Sequence, residues 1–303
     1  MSETPGVRKP SLKRFFVRIA KLTISLVFFV CERAWRLLRG FAGARQSGTC
    51  VVLYYHSVPT SFRVQFENQM QVVSRLGKTV DLRSVGQLPA GSRFVAITFD
   101  DAMESFFENA VPVLLRLKIP ATIFVVSDAL GTKPKWGESY YAQDELVMSA
   151  HQLRSLPELI AVGSHTLTHP NLTTLSPELA AKEIANSREE LGSLLQRQIS
   201  LFSFPYGAFD GRTVCQCREA GYERVFTTIP VLAFATKDQY VVGRVSVDPW
   251  DWALEFRLKI MGAYRWDAAA HVATNRIRTW LGSERRNSGE FAIGRSTGGK
   301  ASQ

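Results

Sequence analysis

Residues 94–99 form an apolar, β-branched run with no polar face, and the run stops on two adjacent carboxylates, Asp100 and Asp101. A strand of that kind is buried on both faces, as parallel strands covered by helices are. In such folds ligands gather beyond the carboxyl ends of the strands. The local alternative is a helix N-cap, with Asp101 ahead of Ala102-Met103-Glu104 and Asp100 a spare carboxylate. Neighbouring carboxylates repel each other unless a cation or a donor neutralises one of them.

The same rhythm recurs along the chain. Residues 50–55 read as a buried strand ending at His56, and 121–126 as another. Residues 159–163 run into Ser164-His165-Thr166-Leu167-Thr168-His169-Pro170, and 199–204 run into Pro205-Tyr206-Gly207. Residues 222–228 and 240–247 continue the series. Helical spacing fills the intervals. Phe66, Met70, Val73 and Leu76 share one face of a helix over about 62–76, which Gly77 ends. A helix after Asp101 is interrupted by Pro112, and others are expected near 149–156 and over 210–220. Ser176-Pro177-Glu178 opens a long one to about 195, with proline in the favoured first turn. A short strand and helix are expected over 79–88. Residues 252–260 alternate as a strand would, yet their neighbours are helical, and both readings stay open. The loop insertion 130–148 carries Trp136, Tyr140 and Tyr141, aromatics suited either to stacking on sugar rings or to anchoring the loop. Strands alternating with helices predict one parallel β/α domain, closed or nearly closed into a barrel.

Charge divides the chain into three. Of the net +10, residues 1–46 hold +8, residues 265–303 hold +4, and the middle is slightly acidic. The basic character therefore belongs to the ends, and no basic patch with interleaved aromatics marks the middle as a nucleic-acid binder. The expected organisation is a membrane-associating N-terminal segment over 1–47, a catalytic domain over 48–264, and a helical, then disordered tail over 265–303. Residues 15–38 read as a helix whose uncharged centre, 22–31, is about half of a membrane span. Basic residues flank that centre, with Phe28, Phe29 and Trp35 among the apolar ones, a pattern suited to an anionic membrane surface. The alternatives are an uncleaved signal anchor and a helix packed on the domain. Localisation is expected at a membrane, on either side. Cys31, Cys50, Cys215 and Cys217 make no disulfide framework and read as inert thiols.

Three strand ends thus carry polar groups: Asp100-Asp101, His165 with His169, and Pro205-Tyr206-Gly207. His-x-x-x-His is a metal-ligand spacing, here on a loop. With a carboxylate from a neighbouring strand end, two imidazoles can hold one divalent ion and leave positions open, as catalysis requires. Two histidines and a carboxylate also hold Fe(II) in oxygenases, but those sit on all-β sandwiches, against the alternation seen here.

Thr98-Phe99-Asp100-Asp101, His165-Thr166-x-x-His169 and Phe204-Pro205-Tyr206-Gly207 resemble, in order, the first three signature motifs of the polysaccharide deacetylases, carbohydrate esterase family 4. The resemblance spans about residues 50–250. It implies an α/β fold, a distorted (β/α) barrel in a single domain with the N-terminal helix added, and hydrolysis of an N-acetyl group on a sugar. It implies further that Asp101, His165 and His169 bind a divalent metal, usually Zn2+. Asp100 would be the general base and Tyr206 would offer its backbone N–H to the oxyanion.

Departures from the family pattern fall on the acid side of the chemistry. No late Leu-x-His motif exists to protonate the leaving amine. His56 takes its place, because residues 53–58 resemble the first strand of a deacetylase subgroup with permuted motifs; a strand-end histidine satisfied by local hydrogen bonds is the alternative. Ser203 stands where many members have an arginine that orients the base, and Arg244 is the candidate substitute. Asp248-Pro249-Trp250-Asp251-Trp252 superficially resembles the fourth motif but lies beyond its usual place. The expected substrate is a surface or lipid-linked acetylated glycan of bacterial type. Hydrolysis of a non-sugar amide, or a catalytically silent, membrane-tethered glycan-binding module, are the other readings.

Overall fold

A computed structural model describes residues 12–41, 48–86, 88–89, 91–136, 145–234 and 239–268. Tyr140, Tyr141 and the tail beyond Ala268 lie outside the described residues, so the expectations placed on them are not addressed.

The first element is a long helix, α1 (Leu12–Phe41). The strands follow as β1 (Thr49–Tyr55), β2 (Lys78–Thr79), β3 (Arg93–Phe99), β4 (Ala121–Val125), β5 (Ile160–Ser164), β6 (Leu201–Ser203), β7 (Arg224–Phe226), β8 (Val241–Val242) and β9 (Val245–Ser246). Between them run α2 (Arg63–Leu76), α3 (Val111–Leu117), α4 (Ala150–Arg154), α5 (Pro177–Leu195) and α6 (Gly211–Glu219), with α7 (Ala253–Ile260) after the last strand. All strand pairs are parallel, in the order β8-β7-β6-β5-β4-β3-β1-β9, and β2 adds to the side of β3.

The two edges of this sheet are joined through the chain itself. Only Gly243 and Arg244 separate β8 from β9, so the edges approach within ~11 Å and the sheet curls into an open barrel. Gly243 permits this, because a Cβ there would run into the carbonyl oxygen of Ile229.

Alternation along the strands sorts the core into two. Val51, Leu53 and Tyr55 of β1 and Val95, Ile97 and Phe99 of β3 face the helices, where Tyr55 stacks on Phe99 at 5.2 Å and Phe66 of α2 closes over both. Cys50, Val52, Phe94 and Ala96 face the barrel interior with Phe124, Phe226 and Val242. Continuing that parity carries Tyr54, His56, Thr98 and Asp100 to the inner side of the carboxyl rim. The register agrees: Tyr55 lies opposite Phe99, so His56 is beside Asp100.

Two local expectations are corrected and one open reading is resolved. Over 79–88 the helix is absent; a turn at residues 82–84 lowers Leu82 and Val85 into the interior, and Arg224 donates to both of their carbonyls at 3.0 and 2.9 Å. Residues 240–247 make two short strands on opposite edges rather than one, broken at Gly243-Arg244. Residues 253–260 are helical, with Phe256 and Ile260 one turn apart in the core and Leu258 buried from another side of the helix. Pro112 is accommodated in the first turn of α3, after a wide π-type turn at Phe106–Ala110.

The helix α1 packs on α7 and residues 263–268. Arg18 donates to Glu255 at 2.6 and 2.8 Å, Lys21 to Asp267 at 2.9 Å, and Trp266 to the Ser25 hydroxyl at 2.9 Å. Arg265 pairs with Glu32.

Candidate active site

The end of β3 delivers Asp100 and Asp101 to different places. Asp100 keeps to the strand, its N–H donating to the Tyr55 carbonyl at 2.9 Å. Asp101 then turns left-handed (φ 69°), followed by Ala102 (φ 52°), which swings the second carboxylate out of line. The His165–His169 loop bends the same way at Thr166 (φ 69°) and His169 (φ 65°), and Tyr206 adopts φ 59°. Five of the eight non-glycine residues at positive φ therefore sit at this rim. Each costs of order 1 kcal/mol or more, so the surroundings must hold them there.

Those surroundings are specific. The Glu183 carboxylate of α5 accepts from Leu167 N–H at 3.0 Å, Thr168 N–H at 2.9 Å and the Thr168 hydroxyl at 2.7 Å. Thr166 Oγ1 accepts from the His169 N–H at 2.9 Å, and His165 Nδ1 donates to the Ser203 carbonyl at 2.7 Å. That last bond puts the proton on Nδ1 and leaves the Nε2 lone pair for the site.

The three expected ligands converge. Donor atoms of Asp101, His165 and His169 lie within 4.8 Å of one another, and all three residues are buried. Asp101 Oδ1 is 3.7 Å from His165 Nε2 and 3.4 Å from His169 Nε2, and it has no hydrogen-bond partner among the described residues. An orphaned buried carboxylate oxygen facing two imidazole nitrogens is a poor arrangement without a cation and a suitable one with it. The protonation tendencies agree. Burial pushes Asp101 up despite His56 and His165, and burial, with His165 beside it, pushes His169 down to about 2, the neutral form a ligand needs.

Asp100 has the opposite fate. Burial alone would raise its pKa, but the Arg244 guanidinium, aided by His165 and His56, outweighs that and holds it at about 2. The pairing is bidentate: Nη1 to Oδ1 and Nη2 to Oδ2, both at 2.7 Å. Arg244 is fully buried and also donates to Ser203 Oγ at 2.7 Å, Thr98 Oγ1 at 3.1 Å and the Thr227 carbonyl at 3.3 Å, with its guanidinium over Tyr54 at 4.7 Å. Ser203 and Arg244 thus share the ground expected of a single arginine on the strand of Ser203.

The other expected residues line the mouth. His56 is exposed, its ring 5.7 Å from that of Tyr54, within electrostatic reach of Asp100, Asp101 and half-buried Asp248. The segment beginning at Asp248 therefore does approach the site, despite its late place in the sequence. Tyr206 is 58% exposed, and its ring stands edge-on to His169 at 4.7 Å. Trp136 stacks on the other side of His169 at 4.6 Å, so this loop aromatic braces a ligand as well as facing the cleft. Glu183 is the contributor that sequence reasoning passed over; on a solvated helix nothing local distinguishes it from its neighbours.

Fold and site together define an open parallel β/α barrel with a candidate metal cluster at its carboxyl rim. Residues 87–225 match the family model described as Polysaccharide deacetylase. The chain is 28% identical over 209 residues to YxkH of Bacillus subtilis (strain 168); the match covers 65% of this chain and 71% of that one. It is 25% identical over 220 residues to the poly-beta-1,6-N-acetyl-D-glucosamine N-deacetylase of Staphylococcus aureus (strain MSSA476), covering 67% and 70%. Among solved structures, IcaB from Ammonifex degensii superposes with a TM-score of 0.59 at 25% identity, over 72% of this chain and 98% of that one. The domain is thus similar to polysaccharide deacetylases in its matched segment, its sequence relatives and its fold.

Proposed function

We propose that this chain is a metal-dependent hydrolase that removes N-acetyl groups from a bacterial surface or lipid-linked polysaccharide. The observation that carries the reading is the meeting of Asp101, His165 and His169 around an unpartnered carboxylate oxygen, beside a second carboxylate held by Arg244. The match to the polysaccharide deacetylase family model supports a glycan amide as substrate, and the likeness to poly-N-acetylglucosamine deacetylases favours N-acetylglucosamine units.

Asp101, His165 and His169 would hold a divalent ion, zinc being the usual one in the family, which would supply Lewis-acid polarisation of the acetyl carbonyl and acidify a water. Asp100 takes the proton from the attacking water. Its bidentate tie to Arg244 keeps it ionised and aimed, since a free carboxylate at this depth would protonate or turn away. Tyr206 offers its main-chain N–H to the developing oxyanion, from a backbone already fixed in the left-handed conformation. His56, on the neighbouring strand end, gives the leaving amine its proton. Trp136 and Tyr206 keep His169 in place and present aromatic faces to a sugar ring.

Acetate release from N-acetylglucosamine oligomers tests this reading. Asp100→Asn is expected to keep its metal and lose turnover by at least ~100-fold, and His56→Ala to slow turnover with metal retained. His165→Ala and His169→Ala are each expected to lose both. Full activity in Asp100→Asn would remove Asp100 as the base. Cleavage of simple acetamides but not of glycans would favour the non-sugar amide, and metal binding without any release would favour a silent glycan-binding module.

A further inference from the structure

The helix α1 is amphipathic in the reverse of the usual sense. At 100° per residue, Arg18, Lys21, Ser25, Glu32 and Arg36 fall on one side, and the first four of them meet the domain through the ion pairs and hydrogen bonds described above. Leu22 and Phe29 on the same side pack on the core. The opposite side carries Leu12, Phe16, Ile19, Val27, Val30 and Leu37, which are 38–73% exposed. Between Leu12 and Leu38 the charged residues nearest this outer stripe are Lys13 and Arg33, one at each border. The Thr23 hydroxyl on the stripe donates back to the Ile19 carbonyl at 3.0 Å, so even that polar group is satisfied within the helix. Charged residues face the protein and apolar ones face outward, over ~40 Å of helix. A water-soluble surface does not tolerate so long an apolar stripe without a partner.

The surroundings say what the partner is. Residues 1–46 carry net +8. Lys13 and Arg33 are exposed at the two borders of the stripe, and neither makes a hydrogen bond or ion pair among the described residues. Cations bordering an apolar face fit acidic headgroups above acyl chains. No helix of the described residues is long and apolar enough to cross a membrane, and the charged side of α1 is committed to the domain.

The direction of α1 fixes the rest. Near its start, Lys13 and Arg18 line a cavity of about 780 Å³ together with Tyr54 and Ser246, which belong to the carboxyl rim. Near its end, Arg33 and Arg36 approach Arg93, the first residue of β3, at the base. The helix therefore runs along the barrel wall, from rim to base. We propose that the outer face of α1 lies in the headgroup–acyl boundary of an anionic bilayer, with the barrel on its side and the mouth of the site opening along the membrane surface. Only the consequence for substrate, a glycan held close to the bilayer, rests on the deacetylase reading.

Full-length protein is mixed with vesicles of phosphatidylcholine alone, or of phosphatidylcholine and phosphatidylglycerol in equal parts, and floated on a density gradient. Binding is expected to the acidic vesicles, to weaken with salt, and to fall at least tenfold in the double variant Val27→Glu/Val30→Glu. Because both side chains are exposed, that variant is expected to unfold at the wild-type temperature and to keep its acetate release from soluble oligomers. In Cys215→Ser, Cys31 on the stripe becomes the one exposed thiol among the described residues; a polarity-sensitive fluorophore there is expected to shift to the blue on vesicle addition. Undiminished flotation of the double variant, or no blue shift at Cys31, would overturn the proposal. So would wild-type dimers that ignore vesicles and dissociate in the double variant, which would make a second copy the occupant. Vesicle binding without acetate release on any glycan would leave this proposal standing and remove the deacetylase reading instead.

Discussion

Asp100 and Asp101 are neighbours in the chain, yet one gives both oxygens to Arg244 while the other keeps an oxygen with no hydrogen-bond partner among the described residues. The difference comes from a backbone that turns left-handed between them and from an arginine 144 positions away. Arg244→Leu strands Asp100 as a buried, unpaired charge, and is expected to cost ~3–5 kcal/mol of stability in urea unfolding. Acid should narrow that gap. In metal-free protein Asp100 is held at about 2, below its ordinary 3.8; a depressed carboxylate contributes in full above the ordinary value and loses its contribution as pH falls through the folded one. The difference between wild type and Arg244→Leu is therefore expected to shrink between about pH 4 and pH 2. A difference that stays constant across that range would mean that the ion pair is not what the substitution removes. Arg244 was only half legible in the sequence. The family resemblance offered it as the substitute for a base-orienting arginine, but nothing in the local residues shows that it reaches Asp100.

At the scale of elements, the site is a set of strand ends whose loops are held by helices. The motifs after β3, β5 and β6 could be read directly, because each apolar run stops where its polar residues begin. Glu183 could not, because its role depends on α5 packing beside the loop after β5. Glu183→Ala is expected to leave α5 intact and to weaken metal binding ~10–100-fold in competition with a chelator, since the loop loses three hydrogen bonds that orient His165 and His169. Unchanged affinity would mean that Thr166 and Ser203 hold the histidines unaided. The misread elements share a cause: tertiary placement overrides local pattern. Residues 79–88 look like a strand and helix but serve as a plug for the barrel base, and residues 240–247 look like one strand but supply both edges of the sheet. The direction in which α1 faces was also hidden, since an amphipathic pattern names two sides without saying which meets the protein.

The whole molecule joins two arrangements, a curled parallel sheet that gathers its polar residues at one rim and a helix along its wall with an outward apolar face. The sheet follows from burial of apolar surface, and its rim collects chemistry because inward parity carries His56, Thr98 and Asp100 to one opening. The central claim is that this opening holds a metal used to hydrolyse an N-acetyl group, and acetate release from N-acetylglucosamine oligomers before and after chelation tests it most directly. The account predicts release by the purified protein, loss of release when metal is stripped, and recovery when zinc alone is returned. Release that continues undiminished in protein shown to be free of metal would contradict it.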